Sequence, residues 1–533
     1  MVYTRNDIVN FLEQGRHALK KVFIMTLVLI LAACNGLAAE TSTLVPLSTA
    51  TNPAPVTPLP PREGPEPSYR VVAFYYPWYG NPATDGEWIH WTSAGNPKDI
   101  ASDYFPALGA YSSNDTAVVA QHMAWLRQAG VGVIAISWWG QGCREEKPVP
   151  LILQMAQRYG IKVTFHIEPY AGRTADRLLG DIKYLYRRYG SDPAFFLSTA
   201  TSRYSPGNQP KPMFFMWDSS ERDTGNPVQV DYWQNAVDAI HALPQGGLII
   251  ADMKESKWIT GSHFDGLYNY ATLHLEQEGG FAWAAGVPPD SLYIPSVIPG
   301  FSATRVNYSP DTYVPRLDGT TYADQWTAAL GAGVQPAMVS ITSFNEWHEG
   351  TMIEPPAIGA DNGRGYIYAD FGTLPPDVYL TLTRQWVDKF LTTTWPETYR
   401  ARIQITTTSD WTTINIVSGG TWLRPELVST SADAANAVME AGGRISLLQP
   451  LADAENGVQV EMTWDLLLSG LDPAGNLVLN IDRGSLGETS LTIFNYLGDT
   501  PTAIKTFHWA GITTDRNSMQ VTISASDLIT TAP

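Results

Sequence analysis

Between Arg70 and about Pro396, short apolar runs rich in β-branched and aromatic residues alternate with amphipathic stretches. This alternation constrains the fold more than any other feature, because it is typical of a parallel sheet covered by helices. Eight runs predict strands: Val71–Tyr76, Val131–Trp138, Lys162–Ile167, Pro212–Trp217, Leu248–Asp252, Gly266–Tyr270, Tyr293–Val297 and Ala337–Phe344. Eight strand and helix units predict an α/β fold, a (β/α)8 TIM barrel, over residues 70–396.

Three amphipathic stretches carry apolar residues at helical spacing and predict helices. They are Thr116–Ala129, Ala175–Tyr189 and Asp377–Leu391. Gly130 follows the first stretch and predicts its end. In the last stretch the apolar residues recur at every fourth position: Val378, Leu382, Trp386 and Phe390.

After Pro396 the pattern changes to alternating apolar and polar residues separated by Gly, Asn and Asp turns, as in Arg402–Ile405, Val458–Met462 and Met519–Ile523. This alternation predicts an all-β sandwich over residues 397–533. Its tryptophans either form a sugar-binding surface or, as is commoner, fill the core. They are Trp411, Trp422, Trp464 and Trp509.

The N-terminus resembles a bacterial lipoprotein signal peptide, which we predict for residues 1–34. Basic residues precede the apolar run Val22–Ala33, which is short for a membrane-spanning helix. The run ends at Leu-Ala-Ala-Cys, so Cys34 is the predicted lipid attachment site, and the other cysteine, Cys143, has no partner for a disulfide. Residues 35–69 are crowded with Thr, Ser and Pro and predict an extended linker. We expect an extracytoplasmic protein that is lipid-anchored to the bacterial cell envelope.

The composition narrows the class of partner. A net charge of −18 and an isoelectric point near 4.9 argue against nucleic acid, because phosphate binding requires a basic surface. The 18 Trp and 25 Tyr residues supply flat apolar surfaces that suit sugar rings. We expect a monomer.

Aromatic and polar side chains follow the predicted strands at their C-terminal ends. In a barrel these ends meet at one mouth, where enzymes of this fold carry their active sites. Such a lining can stack against pyranose rings and hydrogen-bond their hydroxyl groups. The candidate substrate-binding residues are Trp78, Tyr79, His90, Trp139, His166, Glu168, Tyr268 and Tyr270.

Glu346 and Glu349 lie three positions apart, directly after the last predicted strand. Hydrolysis of a glycosidic bond requires a carboxylic acid that protonates the leaving oxygen and a second, ionised carboxylate. Two neighbouring acids raise the pKa of one of them, which divides these roles. We predict that both glutamates are catalytic.

A metal site is the alternative use of Glu346, His348 and Glu349, with His90 or His166 as further ligands. Their spacing matches no standard zinc pattern such as His-Glu-x-x-His. No Gly-rich phosphate loop follows a predicted strand. We expect neither a metal ion nor a cofactor.

Several segments occur in a fixed order along the barrel region: Phe74–Pro82, Trp88–Trp91, Tyr111–Ser113, His122–Met123, Phe165–Tyr170, Phe264–Tyr268, Pro295–Phe301 and Phe344–Thr351. Together they closely resemble glycoside hydrolase family 99, whose members are endo-α-1,2-mannosidases and endo-α-1,2-mannanases. The resemblance covers residues from about 70 to 395 and does not include the C-terminal region.

The resemblance implies a metal-independent hydrolase that cleaves within a mannose-containing glycan and retains the anomeric configuration. It makes Glu346 the base that deprotonates the substrate's own 2-hydroxyl, which attacks C1 to form a 1,2-anhydro sugar. Glu349 then protonates the leaving oxygen. In a retaining enzyme with a carboxylate nucleophile the two catalytic carboxyl groups are about 5 Å apart, and we expect a longer distance between those of Glu346 and Glu349. Supporting roles follow for Tyr79, His166, Glu168 and Tyr268 around the reacting sugar, Trp139 at the neighbouring subsite, and Asn345 and His348 beside the acids.

The chain departs from the family pattern at two positions. Met352 stands where Gln usually follows Gly-Thr, and Trp139 replaces a Tyr. The identity of the sugar that binds at the remote subsites is therefore not determined by the resemblance. Two other functions are compatible with the residues. One is endo-acting hydrolysis of another α-glycan, such as an α-glucan, and the other is non-catalytic binding of surface glycans.

Overall fold

The computed structural model describes residues 65–91, 98–223, 225–288, 290–306, 312–395, 398–419, 421–431, 437–440, 444–469, 471–472, 474–484, 487–497, 500–510 and 517–528. Cys34 and the predicted signal peptide therefore lie outside the described residues. No helix in these ranges is long and apolar enough to cross a membrane.

One sheet contains the strands of the first part of the chain. They are Ser68–Tyr75 (β1), Val131–Trp138 (β2), Lys162–Ile167 (β3), Leu197–Ser198 (β4), Lys211–Met216 (β5), Leu248–Asp252 (β6), Gly266–Tyr268 (β7), Leu292–Ile294 (β8), Ser296–Val297 (β9) and Val339–Ile341 (β10). Their order is β8-β7-β6-β5-β3-β2-β1-β10-β9, and β4 pairs with β5 on the side. Apart from the antiparallel β4, neighbours run parallel, as in β1 with β2 and with β10.

The two ends of the sheet, β8 and β9, are two parts of the seventh predicted strand, so the barrel is nearly closed there. Pro295, which has no N–H to donate, divides that strand into β8 and β9. β8 pairs with β7, and β9 pairs with β10. The backbone N–H groups of Ala337 and Ser340 donate to the carbonyls of Tyr293 and Pro295, each at 2.9 Å. The predicted (β/α)8 barrel is confirmed.

The eight predicted strands are found in their expected places, and β2, β3 and β6 have the predicted bounds. The last strand is shorter than predicted and ends at Ile341. Beyond it the chain bonds to its own returning segment, since Ser343 N–H donates to the Thr351 carbonyl at 3.0 Å. The barrel strands are nearly all buried, as expected where helices cover a parallel sheet.

The helices of the first part of the chain are Pro82–Asp85, Thr116–Gln128, Val149–Tyr159, Ala175–Tyr189, Gln234–His241, Lys257–Ser262, Thr320–Leu330 and Val378–Thr392. Short 3₁₀ turns are Arg144–Glu146, Ala282–Gly286, Thr304–Val306 and Leu317–Gly319. The side chains of Asp115 and Thr174 cap two of the helices by accepting backbone N–H groups of their first turns.

The predicted apolar stripe of the last barrel helix is only partly right. Of its four residues only Phe390 is fully buried, and the buried face is formed by Tyr379, Leu380, Thr383, Val387 and Phe390. An α-helix has 3.6 residues per turn, so residues at every fourth position move progressively around the helix.

The chain forms two compact units. The first contains the described residues up to Phe281, together with Leu292–Leu330 and Pro336–Thr392. The second contains Ala282–Ser291, Gly331–Gln335 and the described residues from Thr393 onward.

The second unit contains two antiparallel five-stranded sheets. Its strands are Thr398–Thr407 (β11), Trp411–Ser418 (β12), Thr421–Thr430 (β13), Ala437–Glu440 (β14), Arg444–Leu448 (β15), Val460–Ser469 (β16), Asn476–Arg483 (β17), Glu488–Leu497 (β18), Thr500–Ala510 (β19) and Asn517–Ser524 (β20). The sheet orders are β13-β16-β11-β18-β19 and β14-β15-β12-β17-β20. Two short helices, Leu451–Glu455 and Ala525–Leu528, complete the unit.

The two sheets share one apolar core, which confirms the all-β sandwich. Ile403 and Ile405 of one sheet and Leu479 and Ile481 of the other belong to the same buried cluster. Trp464 also lies in this core. The partly buried Trp509 packs against the cluster, so these two tryptophans are core residues. The side chain of Trp422 lies outside the described part of the chain.

Candidate active site

The C-terminal ends of the barrel strands bring the predicted site residues together. Tyr79 follows β1, Trp139 follows β2, Glu168 follows β3, and Tyr268 ends β7. The segment with both predicted catalytic acids follows β10, which lies beside β1 in the sheet. The site is therefore built by different loops at one mouth.

Glu346 is positioned by its own loop. Its backbone N–H donates to Ser343 Oγ at 2.8 Å, and its Oε1 accepts the backbone N–H of His348 at 2.9 Å. The side chain is buried, and Oε2 has no hydrogen-bond partner in the described ranges. Because buried polar atoms are nearly always hydrogen-bonded, Oε2 is available to a polar ligand.

Glu349 lies in the same buried environment, and its Oε2 likewise has no partner among the described residues. Burial, followed by the negative charge of Glu168, raises the pKa of Glu349 to about 8. Burial, followed by repulsion from Glu349, raises the pKa of Glu346 well above its usual value. With the pKa of Glu349 at about 8, the pair retains at least one proton at neutral pH.

The hydrogen bonds favour one position for that proton. Backbone N–H groups of His348 and Glu349 interact with the carboxylate of Glu346 and lower its pKa, partly opposing burial. Donors of this kind favour the ionised form. Among the described residues none donates to Oε2 of Glu349. Glu346 therefore has hydrogen-bond donors that stabilise its ionised form, whereas the raised pKa of Glu349, about 8, favours its protonated form at neutral pH.

The loop after β1 holds the catalytic segment from the other side. Asn345 accepts the backbone N–H of Tyr76 at 2.8 Å and donates from Nδ2 to the Tyr76 carbonyl at 3.0 Å. The hydroxyl of Tyr79 donates to the Asn345 carbonyl and accepts the backbone N–H of Trp347, both at 3.1 Å. Asn345 and Tyr79 thus fix the backbone on both sides of Glu346.

A second group of predicted residues lies across β2, β3 and β7 in two hydrogen-bonded sets, which approach each other between Glu168 and His166. Trp139 Nε1 donates to Ser137 Oγ at 3.1 Å, and Ser137 Oγ donates to Glu168 Oε1 at 2.7 Å. Glu168 Oε1 lies 3.2 Å from His166 Nδ1, and His166 Nε2 lies 2.6 Å from the Tyr268 hydroxyl. Ser137 thus fixes the indole of Trp139 and one oxygen of Glu168, and Tyr268 fixes the imidazole of His166.

Two histidines lie against each other beside the acids. The ring centroids of His90 and His348 are 4.6 Å apart, and Trp78 stacks on His90 at 4.1 Å. Burial lowers the pKa of His348 to about 4, and burial with repulsion from His348 holds the pKa of His90 well below its usual value. Both imidazoles are therefore neutral at neutral pH. Nε2 of each has no hydrogen-bond partner in the described part of the chain.

Tyr270 joins the site through Tyr76, because the two hydroxyl groups hydrogen-bond to each other. Burial and then the charges of Tyr76, Glu349 and Glu346 raise the pKa of Tyr270 well above 10. Each of the predicted substrate-binding residues thus lies at the mouth of the barrel, within one network of contacts around Glu346 and Glu349.

Two residues of this network, Tyr76 and Asp252, were not predicted from the sequence as site residues. Asp252 ends β6, and its carboxylate accepts the backbone N–H groups of Tyr270 at 2.8 Å and Asp218 at 3.4 Å. Burial raises the pKa of Asp252 to about 6. Both lie at strand ends, so the same positional rule that selected Trp139 and Glu168 was sufficient to find them.

The departure from the family pattern at Met352 does not lie in the sugar-binding lining. Met352 is fully buried, and its Sδ lies 3.4 Å from Nη2 of Arg316. Nη2 also donates to the carbonyls of Gly350 and Met352, at 2.9 and 2.7 Å. Met352 therefore packs behind the catalytic segment, against Arg316. Trp139 does lie in the lining.

The arrangement suits proton transfer to and from a sugar. The unpaired buried atoms of Glu346, Glu349, His90 and His348 supply acceptors and neutral imidazoles for hydroxyl groups. In the described ranges, no three His, Cys, Asp or Glu side chains are grouped so as to hold a metal ion.

Comparison with known proteins agrees with this geometry. The model of the family "Glycosyl hydrolase family 99" matches residues 67–392. The "Glycoprotein endo-alpha-1,2-mannosidase" of Mus musculus is 35% identical over 367 residues, which are 61% of this chain and 75% of the mouse protein. The "Glycoprotein endo-alpha-1,2-mannosidase-like protein" of Homo sapiens is 33% identical over 364 residues, covering 60% of this chain and 75% of the human protein.

A solved structure has the same fold. The GH99 endo-alpha-mannosidase from Bacteroides thetaiotaomicron is 33% identical and superposes with a TM-score of 0.53, over 61% of this chain and 98% of that chain. The barrel, the buried acid pair and the match over residues 67–392 together identify the chain as a glycoside hydrolase that belongs to glycosyl hydrolase family 99.

Proposed function

We propose that this chain is an endo-acting hydrolase that cleaves internal α-mannosidic linkages, of the endo-α-1,2-mannosidase or endo-α-1,2-mannanase type. The buried pair Glu346 and Glu349, which retains one proton between two carboxyl groups, carries this proposal. The names of the relatives support the choice of α-mannoside as substrate. The neutral His90 and His348 and the indole of Trp139 supply polar and apolar contacts of the kind that bind sugars.

The proposed reaction proceeds in two steps with overall retention. In the first, Glu346 takes the proton of the 2-hydroxyl, O2 attacks C1, and the bond to the leaving oxygen breaks as Glu349 protonates that oxygen. The product of this step is a 1,2-anhydro sugar. In the second, Glu349 takes a proton from water, the water oxygen attacks C1, and Glu346 returns its proton to O2 as the ring opens. This first step requires an ionised Glu346 and a protonated Glu349; the backbone N–H donors at Glu346 support the first form, and the raised pKa of Glu349, about 8, supports the second.

The substitution Glu349→Gln tests the assignment of the acid. We expect cleavage of an α-1,2-mannan or of a glucosylmannose-capped glycan to fall by more than about 100-fold, because an amide cannot donate a carboxylic proton to the leaving oxygen. Binding of the same glycan, measured by calorimetry, is expected to persist. Unchanged release of oligosaccharides by the variant would remove Glu349 from this role.

The same assay with several polymers tests the substrate. Yeast mannan, α-glucans and N-glycans are incubated with the wild-type chain, and released oligosaccharides are measured by mass spectrometry. Release from an α-glucan alone would replace the α-mannoside in the proposal. Binding without release from any polymer would leave a glycan-binding protein.

A substrate that lacks the 2-hydroxyl tests the mechanism. We expect the 2-deoxy analogue at the cleaved position to resist hydrolysis, since O2 is the proposed nucleophile, while the parent substrate gives the retained anomer by NMR. Cleavage of the 2-deoxy analogue at a comparable rate would favour direct attack by a carboxylate.

We also propose that the chain is anchored outside the cytoplasm through acylation of Cys34, and that it acts as a monomer. The basic flank, the apolar run Val22–Ala33 and the linker at residues 35–69 support the anchor. Mass spectrometry of the mature N-terminus tests this: a lipid-modified Cys34 supports it, and an unmodified N-terminus contradicts it. Sedimentation of the detergent-solubilised protein gives the oligomeric state.

A further inference from the structure

A buried carboxylate lies beneath the catalytic segment and takes no part in the proposed reaction. Glu354 is fully buried and belongs to the strand-like segment that returns after the two acids. Its backbone N–H donates to the Phe344 carbonyl at 2.9 Å, just as Ile353 N–H donates to the Ser343 carbonyl at 3.0 Å. The stretch from Phe344 to Glu354 is therefore an excursion closed at its base.

The side chain of Trp347 returns from the tip of this excursion to its base. Trp347 lies between the two predicted catalytic residues in the sequence, and its indole is fully buried. Nε1 donates to Glu354 Oε2 at 3.0 Å and lies 3.2 Å from the hydroxyl of Tyr111. The orientation of the indole is therefore set by Glu354 and Tyr111.

Two further donors fix the carboxylate of Glu354. The hydroxyl of Tyr111 donates to Oε2 at 2.8 Å, and Nε2 of His122 lies 3.1 Å from Oε1. His122 is held in turn by Tyr75 of β1, whose hydroxyl lies 2.9 Å from Nδ1. The carboxylate is thus tied to a helix and to a barrel strand, which do not belong to the excursion.

The same network reaches the residue before Glu346. Nδ2 of Asn345 lies 3.3 Å from the hydroxyl of Tyr111 and also donates to the Tyr76 carbonyl at 3.0 Å. The network therefore contacts the catalytic segment at Asn345 and at Trp347, on both sides of Glu346.

We propose that Glu354 is a positioning residue: held by His122 and Tyr111, it orients Trp347 and so sets the relative orientation of Glu346 and Glu349. The inference rests on the proposed function only in taking these two glutamates as the acid and the base. A misplacement of about 1 Å in a catalytic group can cost on the order of 100-fold in rate.

The variants Glu354→Met and Trp347→Phe test this role in the full chain. The first replaces the carboxylate with an apolar side chain of similar length, and the second removes the indole N–H but leaves Glu354 in place. We expect each to lower kcat by roughly 10- to 100-fold and to change KM by less than about threefold. Trp347→Phe keeps the test valid if Glu354→Met does not fold.

Glu354→Gln is a conservative variant that can keep the hydrogen bonds that Glu354→Met loses. Its amide oxygen can accept from Trp347 and Tyr111, and its NH₂ group can donate to Nε2 of His122 when the ring proton is on Nδ1. We expect kcat within about threefold of the wild type. A purely packing role predicts no such difference between Met and Gln in the folded fraction.

Asp265→Leu is the matched control. Asp265 is also a fully buried acid with several partners, Ser202, His241 and the backbone N–H of Ile249, but it precedes β7 at the opposite end of the barrel. We expect this variant to lose thermal stability while the kcat of the folded protein stays unchanged. Equal losses of kcat in Asp265→Leu and Glu354→Met would overturn the proposal.

A substrate-independent measurement separates this inference from the proposed function. Amide hydrogen exchange at Glu346, Trp347 and His348 is expected to accelerate in Glu354→Met and Trp347→Phe, but not in Asp265→Leu. Acceleration in a chain that cleaves no α-mannoside would support the positioning role and refute the substrate assignment. Unaltered exchange together with kcat within twofold of the wild type would refute the positioning role.

Discussion

Three glutamate carboxyl groups lie close to one another at the mouth of the barrel. Glu168 repels Glu346 and Glu349, and Glu349 repels Glu346, in a setting from which water is largely removed. Burial makes each negative charge costly, and each additional charge increases the cost for the others. The retained proton is therefore a consequence of how closely the acids are packed.

Raising the pH is expected to lower activity and stability together. The folded pKa of Glu349, about 8, lies above its usual value of 4.5, so its contribution to stability is fully present below about pH 4.5 and is lost as the pH rises through 8. The same proton is the one required by the leaving oxygen. We expect kcat to decline above about pH 8 and the melting temperature to fall between pH 5 and pH 9.

The variant Glu349→Gln is the control for this pH dependence, because it cannot ionise. Its melting temperature relative to the wild type is expected to rise from pH 5 to pH 9, measured by circular dichroism. A constant difference between the two proteins across this range would show that Glu349 does not titrate there.

At the residue scale, sequence reasoning found side chains that carry their own signal. Glu346 and Glu349 stand out as two acids after a buried strand, and Trp139 and Glu168 follow strands directly. Glu354 and His122 carry no such signal, because their meeting depends on contacts between residues 232 positions apart. Those contacts exist only in the folded chain.

At the element scale, apolar runs located the strands well because burial on both sides requires continuous apolar sequence. The bounds of β2, β3 and β6 agree with the prediction to the residue. The division at Pro295 was overlooked, although a missing N–H is visible in the sequence. The buried face of the last barrel helix was only partly predicted, because residues at every fourth position move around a helix of 3.6 residues per turn.

One buried arginine joins two of the loops at the mouth. Arg173 is fully buried and donates to the backbone carbonyls of two strand ends and the loop beyond them. These carbonyls belong to Ile167, Trp217, Asp218, Glu221 and Arg222. A planar guanidinium with five N–H groups can satisfy this set, whereas an ammonium with three cannot.

The substitution Arg173→Lys is therefore expected to destabilise the barrel by about 3 kcal/mol, since it leaves buried carbonyls unpaired. Thermal unfolding measures the loss. Arg177→Lys serves as the control, because the side chain of Arg177 is 50% exposed and it should change little. A melting temperature equal to that of the control would mean that the carbonyls do not depend on the guanidinium.

At the scale of the whole molecule, the change of sequence pattern near Pro396 separates two architectures. Alternating residues such as Ile403 and Ile405 predicted the sandwich, and they lie in its core. The pattern did not indicate that Ala282–Ser291 and Gly331–Gln335, from the barrel part of the sequence, belong to the second compact unit. Short segments of this kind carry no periodicity from which to assign them.

Both acids and His348 come from a single excursion after β10, while Trp78, Tyr79 and Trp139 come from the loops after β1 and β2, and His166 and Tyr268 from β3 and β7. Under the proposed function, most of the sugar-binding groups and the two acids are thus encoded in separate stretches of the gene. Mutations in the loops after the other strands can exchange one polymer for another while the acid–base unit is inherited intact. Related enzymes with this architecture can therefore differ in the glycan that they bind and still use the same pair of acids.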